Sequence, residues 1–440
     1  MTARADAWQR NDVITVSMAS LVMLGSGIQM PAVRPLFGDF LHFSESTMHA
    51  FMSLNMLGAV LGAPPIAALV DRRRWHRRAC VVLGFLDAAL LGSCTISTSA
   101  ATLLALRVAQ GATNVALLSI VLGSLSRDRS VARAHGRAVG LAGGGAMLAL
   151  AVGPAIGGPL LAIGPHAPFR AAALMAFLVS VTALGVPSWL SSSPRSVVAA
   201  APEDPRRFGE LTRNPLMLVP LVLGATERFT VGCFVVTFSL YAHAVRHLSD
   251  ATVALHYSLF LVPFALATFP LVRLGERYSR TLLMKAGAFL YGAAFLTFGW
   301  ASGGALVLAL VGAGVASAMV YGPSLCCVIA AGRGSERATA MALFHAAGCG
   351  GMLLGPAAAG LISFAVGALG APMSTKYLAV FTFAGSVQLL LLRLLRAPLA
   401  TLRRLETSSA FIAAGRTDVE EDGASVGWTA SPPTIERQVP

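Results

Sequence analysis

Apolar stretches of about 20 residues, each with few charges, follow one another through most of this chain. That is the length a helix needs to cross a bilayer core of about 30 Å, and no other feature restricts the fold as much. Lipid offers no hydrogen-bond partner, so each crossing segment must close its own backbone bonds as a helix. A β-barrel would instead show short segments of alternating polarity. Composition agrees: of 440 residues, 55% are hydrophobic and 12% charged, with a mean hydropathy of +0.70. Soluble domains carry roughly 25% charged residues. Twelve spans are predicted, at 14–36, 48–69, 79–98, 101–124, 137–162, 169–190, 216–242, 252–274, 281–301, 304–330, 338–367 and 377–396. The 44 glycines suit helices that approach closely in lipid.

The net charge of +13 would fit a nucleic-acid partner, but its distribution argues for topology instead. Taking the connections alternately, one set holds Arg4, Arg10, Arg72 to Arg74, Arg77, Arg78, Arg127, Arg129, Arg133 and Arg137. The same set continues through Arg195, Arg206, Arg207, Arg213, Arg273, Arg277, Arg280, Lys285, Arg333 and Arg337 to the tail from Arg393. The opposite set holds only Arg34, Arg170, Arg246 and Lys376. The positive-inside rule then expects both termini in the cytoplasm, in a multi-pass protein of the plasma (inner) membrane, with no nucleic-acid partner. The first apolar segment is longer than a signal-peptide core and reads as a first span. Six cysteines form no CxxC pair and no Cys/His cluster, so neither a metal nor a cofactor is expected. No phosphate-binding G-x-x-x-x-G-K-[ST], nucleophile elbow or H-E-x-x-H is present, which disfavours direct use of ATP and an embedded enzyme.

Two short strings recur at nearly one offset. Asp71-Arg72 returns as Glu276-Arg277 (276−71 = 205), and Gly153-Pro154 returns as Gly355-Pro356 (356−154 = 202). So long a period suits two similar halves, as in many membrane transporters. The expected organisation is a six-helix bundle at 1–190, a polar, proline-rich cytoplasmic linker at 191–215, a second bundle at 216–396 and a disordered cytoplasmic tail at 397–440.

The residues around these strings carry a family resemblance. Leu69, Asp71 and Arg72 match the G-x-L-x-D-R-x-G-R-[KR] loop of the major facilitator superfamily, with Ala67 and Arg74 in place of its two glycines. Arg107-Val108-Ala109-Gln110-Gly111 is similar to the family's R-x-x-Q-G motif. Gly153-Pro154 with Gly157-Gly158 resembles the G-x-x-x-G-P-x-x-G-G motif of its twelve-span drug:proton antiporter branch, Ala149 standing at the first glycine. The resemblance spans about 14–396 and implies an all-α membrane protein, twelve helices in two pseudo-symmetric six-helix bundles around a central cavity. It implies a conformational latch at Asp71, Arg72, Glu276 and Arg277, and links Arg107 to proton transfer. It also implies bent, close-packed helices at Gly153, Pro154, Gly157, Gly158, Gly355 and Pro356. Physically, an acid at a helix end can pair with arginines or with a facing helix N-terminus.

Charges inside spans need partners or a wet cavity. Glu227 lies near mid-bilayer, about 16 Å from the cytoplasmic end of its span at 1.5 Å per residue. Its neighbour Arg228 does not share its helix face, so at least one is expected to find a partner elsewhere or to line a cavity. Glu227 is the leading candidate for a proton-coupling site, followed by Arg107 and Asp87; the alternatives are a permanently protonated Glu227 or a structural interhelix pair, snorkelling for Arg107 and a structural polar contact for Asp87. Gln110, Asn55, Asn114, Arg228, His256 and His345 are candidates for lining the cavity, although interhelical hydrogen bonding accounts for them as well. The expected activity is proton-coupled export of a small amphipathic or hydrophobic molecule by a monomer in the lipid bilayer. Uptake or facilitated diffusion of a metabolite, and a non-transporting scaffold or sensor, are the alternatives.

Overall fold

The computed structural model describes residues 10–43, 45–124, 132–185, 208–248, 250–332 and 336–407. These are helical almost throughout, and no strand occurs among them. The long helices of the first half are α1 (Arg10–Ile28), α2 (Glu45–Arg73), α3 (His76–Ser93), α4 (Ala100–Ser124), α5 (Ala132–Leu160) and α6 (Ala167–Gly185). A six-residue helix, α7 (Phe208–Arg213), leads into the second half. That half comprises α8 (Pro215–Ala244), α9 (Asp250–Arg277), α10 (Arg280–Thr297), α11 (Gly303–Ala331), α12 (Arg337–Ala368) and α13 (Met373–Leu394). Each of the twelve long helices overlaps one predicted span. Ten of the segments are long and apolar enough to cross a membrane. The helices outside that set, α3 and α10, carry Arg77, Arg78 and Asp87, and Arg280 and Lys285, within 18 residues each.

Local chemistry sets several boundaries. Asn214 starts α8, its side chain accepting from the Leu216 amide at 3.0 Å, with Pro215 in the first turn, where a missing N–H costs nothing. The first span ends earlier than expected, at Ile28. Pro31 and Pro35 interrupt its ladder, and the chain goes on as a 3-10 turn (Met30–Ala32) and a π-turn (Arg34–Phe40). Within the expected linker, 208–213 is helix, while 191–207 lies outside the described residues. The expected tail also begins too early. Residues 396–407 form a further helix, because Leu395, Leu399 and Leu402 recur at helical spacing and are buried against Val219, Leu223 and Met284. Residues 408–440 lie outside the described set.

Packing repeats between the halves. In the first, α1 packs along α5, α2 along α4 and α3 along α6; in the second, α8 packs along α12, α9 along α11 and α10 along α13. The halves meet through α2 against α12 and α5 against α9. Where α1 begins and α13 ends, one apolar cluster joins both halves, from Val70 and Val139 across to Phe264, Tyr321 and Phe344. Toward the opposite end each half keeps its own core, around Phe37, Phe51 and Phe169 in one and Phe234, Phe298 and Phe381 in the other.

The glycine–proline strings lie on the α1–α5 and α8–α12 contacts. A Cβ at Gly153 would stand 2.5 Å from Gly27 Cα, one at Gly157 would run into the Ile28 carbonyl, and one at Gly355 into the Phe229 carbonyl. Pro356 Cδ lies 3.0 Å from where a Cβ at Gly232 would sit. Gly158 differs from its expected role, since a Cβ there would meet nothing within 4 Å. Gly157→Ala is therefore expected to lower the melting temperature by several degrees, at a cost of about 1–3 kcal/mol for overpacking, and Gly158→Ala to leave it unchanged. Thermal unfolding of the two purified variants checks the contrast.

Candidate functional site

A cavity of about 220 Å³ lies between the halves, walled by α1, α2, α4 and α5 on one side and α8, α11 and α12 on the other. Six methionines (Met23, Met30, Met52, Met56, Met147 and Met352) supply much of its apolar surface. Their unbranched, polarizable side chains can repack around ligands of different shape.

Arg107 projects from α4 into the first-half wall and is only 5% exposed, so it does not snorkel to the surface. Its Nη1 donates to Gln29 Oε1 at 2.8 Å and to Gln110 Oε1 at 2.7 Å, and its guanidinium carbon lies 4.7 Å from the Phe51 ring centroid. Its Nε has no partner among the described residues. Gln110 also accepts from Asn55 Nδ2 at 2.6 Å and donates from Nε2 to Asp87 Oδ1 at 2.9 Å. Asn114 Nδ2 donates to Asp87 Oδ2 at 3.1 Å and Thr113 Oγ1 to Oδ1 at 3.3 Å. The R-x-x-Q spacing causes this chain. Residues three apart share a helix face, so Gln110 sits beside Arg107 and links it to the carboxylate on α3. Asp87 stands behind the cavity wall, not in it, whereas Asn55, Gln110 and Asn114 line it.

In the second half, Glu227 and Arg228 both line the cavity, and they also pair although neighbouring residues do not share a helix face. The arginine side chain is long enough to fold back over the helix surface, bringing Nε to 3.4 Å from Glu227 Oε2. Glu227 also accepts from Ser317 Oγ of α11 at 2.6 Å. The Arg228 guanidinium lies 5.6 Å from the ring centroids of both Phe264 and Tyr321. Both rings belong to the apolar cluster that joins the halves. The carboxylate in the wall is thus compensated by a cation resting on the apolar cluster that joins the halves.

Asp71, at the end of α2, reaches across to the other half. Its Oδ2 accepts from the Thr339 amide and from Thr339 Oγ1, each at 2.8 Å, and its Oδ1 from His76 Nε2 at 2.7 Å. Thr339 is in the first turn of α12, where backbone amides have no intrahelical acceptor. Arg72 is exposed and takes no part in this contact. Arg74, at the second family glycine, adopts φ 55°, so the turn forms at the cost of backbone strain. Arg277 is exposed over the Tyr278 ring at 5.7 Å, and the side chain of Glu276 lies outside the described residues.

His345 lines the cavity, and its Nδ1 is 3.0 Å from Ser119 Oγ in the opposite half. His256 is not in the wall; its Nδ1 donates to the Thr252 carbonyl one turn back at 2.6 Å, the ordinary arrangement of a packing histidine. The sequence left Gln29, Thr339 and Ser317 unnoticed. A lone amide, or a hydroxyl in an apolar span, carries no motif until its partner is placed.

Residues 15–249 and 221–426 match the family model described as Major Facilitator Superfamily. The class G tetracycline resistance protein of Vibrio anguillarum is 30% identical over 309 residues, 66% of this chain and 75% of that protein. Multidrug resistance protein 2 of Bacillus subtilis (strain 168) is 22% identical over 234 residues, 52% of this chain and 58% of that protein. The crystal structure of the human organic anion transporter MFSD10 (TETRAN) is similar in fold, with a TM-score of 0.65 and 19% identity over 90% of this chain and 100% of that one.

Proposed function

The chain belongs to the major facilitator superfamily, and from that premise we propose that this multi-pass membrane transporter exports a small amphipathic or hydrophobic molecule in exchange for protons. The observation that carries the proposal is the Glu227–Arg228 pair, set in a methionine-rich wall with its cation lying against Phe264 and Tyr321. A proton on Glu227 cancels the charge that holds Arg228. The freed guanidinium leaves or repacks the two rings, and those rings belong to the cluster that closes one end. Proton loading thereby favours one of two global states, which is all that coupling requires. The Asp71–Thr339 contact acts as the latch of the closed end. The names of the two bacterial relatives, tetracycline and multidrug resistance proteins, support drug-like cargo and outward transport. The arginine-rich connections support cytoplasmic termini in the plasma (inner) membrane, with the latched end facing the cytoplasm. Each half contributes one wall of the cavity, which supports a working monomer.

Reconstitution tests the proposal. Proteoliposomes are expected to move a lipophilic fluorescent dye against its gradient only when a proton gradient of the opposing sense is imposed, and to stop when an ionophore collapses it. Dye movement indifferent to the gradient would indicate facilitated diffusion, and no movement of any cargo would indicate a scaffold.

A further inference from the structure

The helix at 396–407 presents two chemically different flanks beside its docked face. Leu399 and Leu402 are buried under the second half, and Glu406 turns the same way, accepting from Ser279 Oγ at 2.8 Å and from the Thr281 amide at 3.2 Å. Ser279 itself caps α10, so the carboxylate ties this helix to the start of a membrane helix. At about 100° per residue, Arg396, Arg403 and Arg404 fall on one side of the docked face and Leu405 on the other, while Arg393 and Leu394 close α13 just before the turn at Leu395. All four arginines are exposed, and the two leucines are 65% and 43% exposed. Among the described residues none of the four arginines has a carboxylate partner, the one acid of the helix being turned inward. Because it follows α13 directly, the helix begins where that span leaves the bilayer.

We propose that this helix, with the last turn of α13, is a membrane-surface strap whose arginines bind the headgroups of anionic phospholipids while Leu405, and Leu394 at the end of α13, enter the acyl boundary. A basic flank beside an apolar one is the arrangement that seats a helix in the plane of the interface, each arginine adding attraction to an anionic surface. The strap locks α8, α10 and α13 together on the side of the termini, so lipid charge bears on the stability of the second half. The inference needs only that the chain spans a membrane, and it stands or falls apart from the cargo and its coupling.

Native mass spectrometry of the purified full chain, with added phosphatidylglycerol or phosphatidylcholine, tests the assignment. The wild type is expected to retain phosphatidylglycerol preferentially. Changing all four arginines to Gln is expected to reduce that retention at least about tenfold, whereas changing all four to Lys preserves it. Retention of phosphatidylglycerol by the Gln variant at the wild-type level would overturn the proposal. So would a preference that appears only after residues 408–440 are removed, because the acidic stretch at 418–422, not lipid, would then be the partner of the arginines.

Discussion

Glu227→Gln is expected to abolish accumulation driven by a proton gradient while leaving passive exchange of cargo intact. One unit of ΔpH is worth about 1.4 kcal/mol per proton, enough for about a tenfold cargo ratio across the membrane. A carrier that cannot load the proton draws none of it, and the ratio falls to about one. Glutamine keeps the size of the side chain and an acceptor for Ser317 Oγ, now at 2.6 Å from the carboxylate, so the helix contact survives while the charge is lost. Glu227→Ala is a poorer probe because it strips the partner from a partly buried cation. Breaking such a pair costs about 3–5 kcal/mol when it is fully enclosed, and Arg228, at 23% side-chain exposure, sits toward the lower end. The measurement is dye accumulation in proteoliposomes with and without ΔpH, paired with dye exchange at equilibrium. Full gradient-driven accumulation by the Gln variant would remove Glu227 from the coupling, and the Asp87–Gln110–Arg107 chain would become the next candidate.

The architecture was legible in the sequence because membrane folding is governed by length and charge. Twelve apolar runs map onto twelve long helices, and the repeated strings mark equivalent positions in two similarly packed halves. The glycine–proline strings also pointed to close helix contacts, as Gly153, Gly157 and Gly355 show. What the sequence could not reveal was partnership across spans. Ser317 is one serine among many until α11 brings it to Glu227, and Thr339 gains meaning only when α2 ends beside the start of α12. Adjacency did not reveal that Glu227 and Arg228 pair, because backbone geometry bounds where the Cβ atoms point and not where a long guanidinium side chain ends. Glycine by itself was ambiguous. Gly157 and Gly158 look alike in sequence, and only one of them faces another backbone. The helix at 396–407 was overlooked because its few leucines sit among arginines and lead into a polar tail; its stability comes from docking rather than from composition.

Asp71→Asn is expected to release the closed end. The carboxylate takes two bonds from Thr339, one from an orphan amide in the first turn of α12, where negative charge is favoured by the helix dipole. Hydrogen bonds to a charged group contribute about 1.5–3 kcal/mol, so replacing the carboxylate with an amide shifts the open–closed equilibrium by about 2 kcal/mol, or about thirty-fold. Asparagine retains an acceptor for the amide, which isolates the role of charge from that of shape. The chain carries its own reporter. Cys349 lines the cavity and is partly accessible, whereas Cys80, Cys94, Cys233, Cys326 and Cys327 are buried. A membrane-impermeant maleimide should therefore reach wild-type Cys349 from the face opposite the termini. In the Asn variant, labelling from the face that carries the termini should rise, and labelling from the opposite face should fall in proportion. Arg72→Gln, on the exposed neighbour, is expected to leave both rates unchanged. Equal rates for the wild type and Asp71→Asn would mean that the apolar cluster through Val70, Phe264 and Phe344 holds the end shut without the carboxylate.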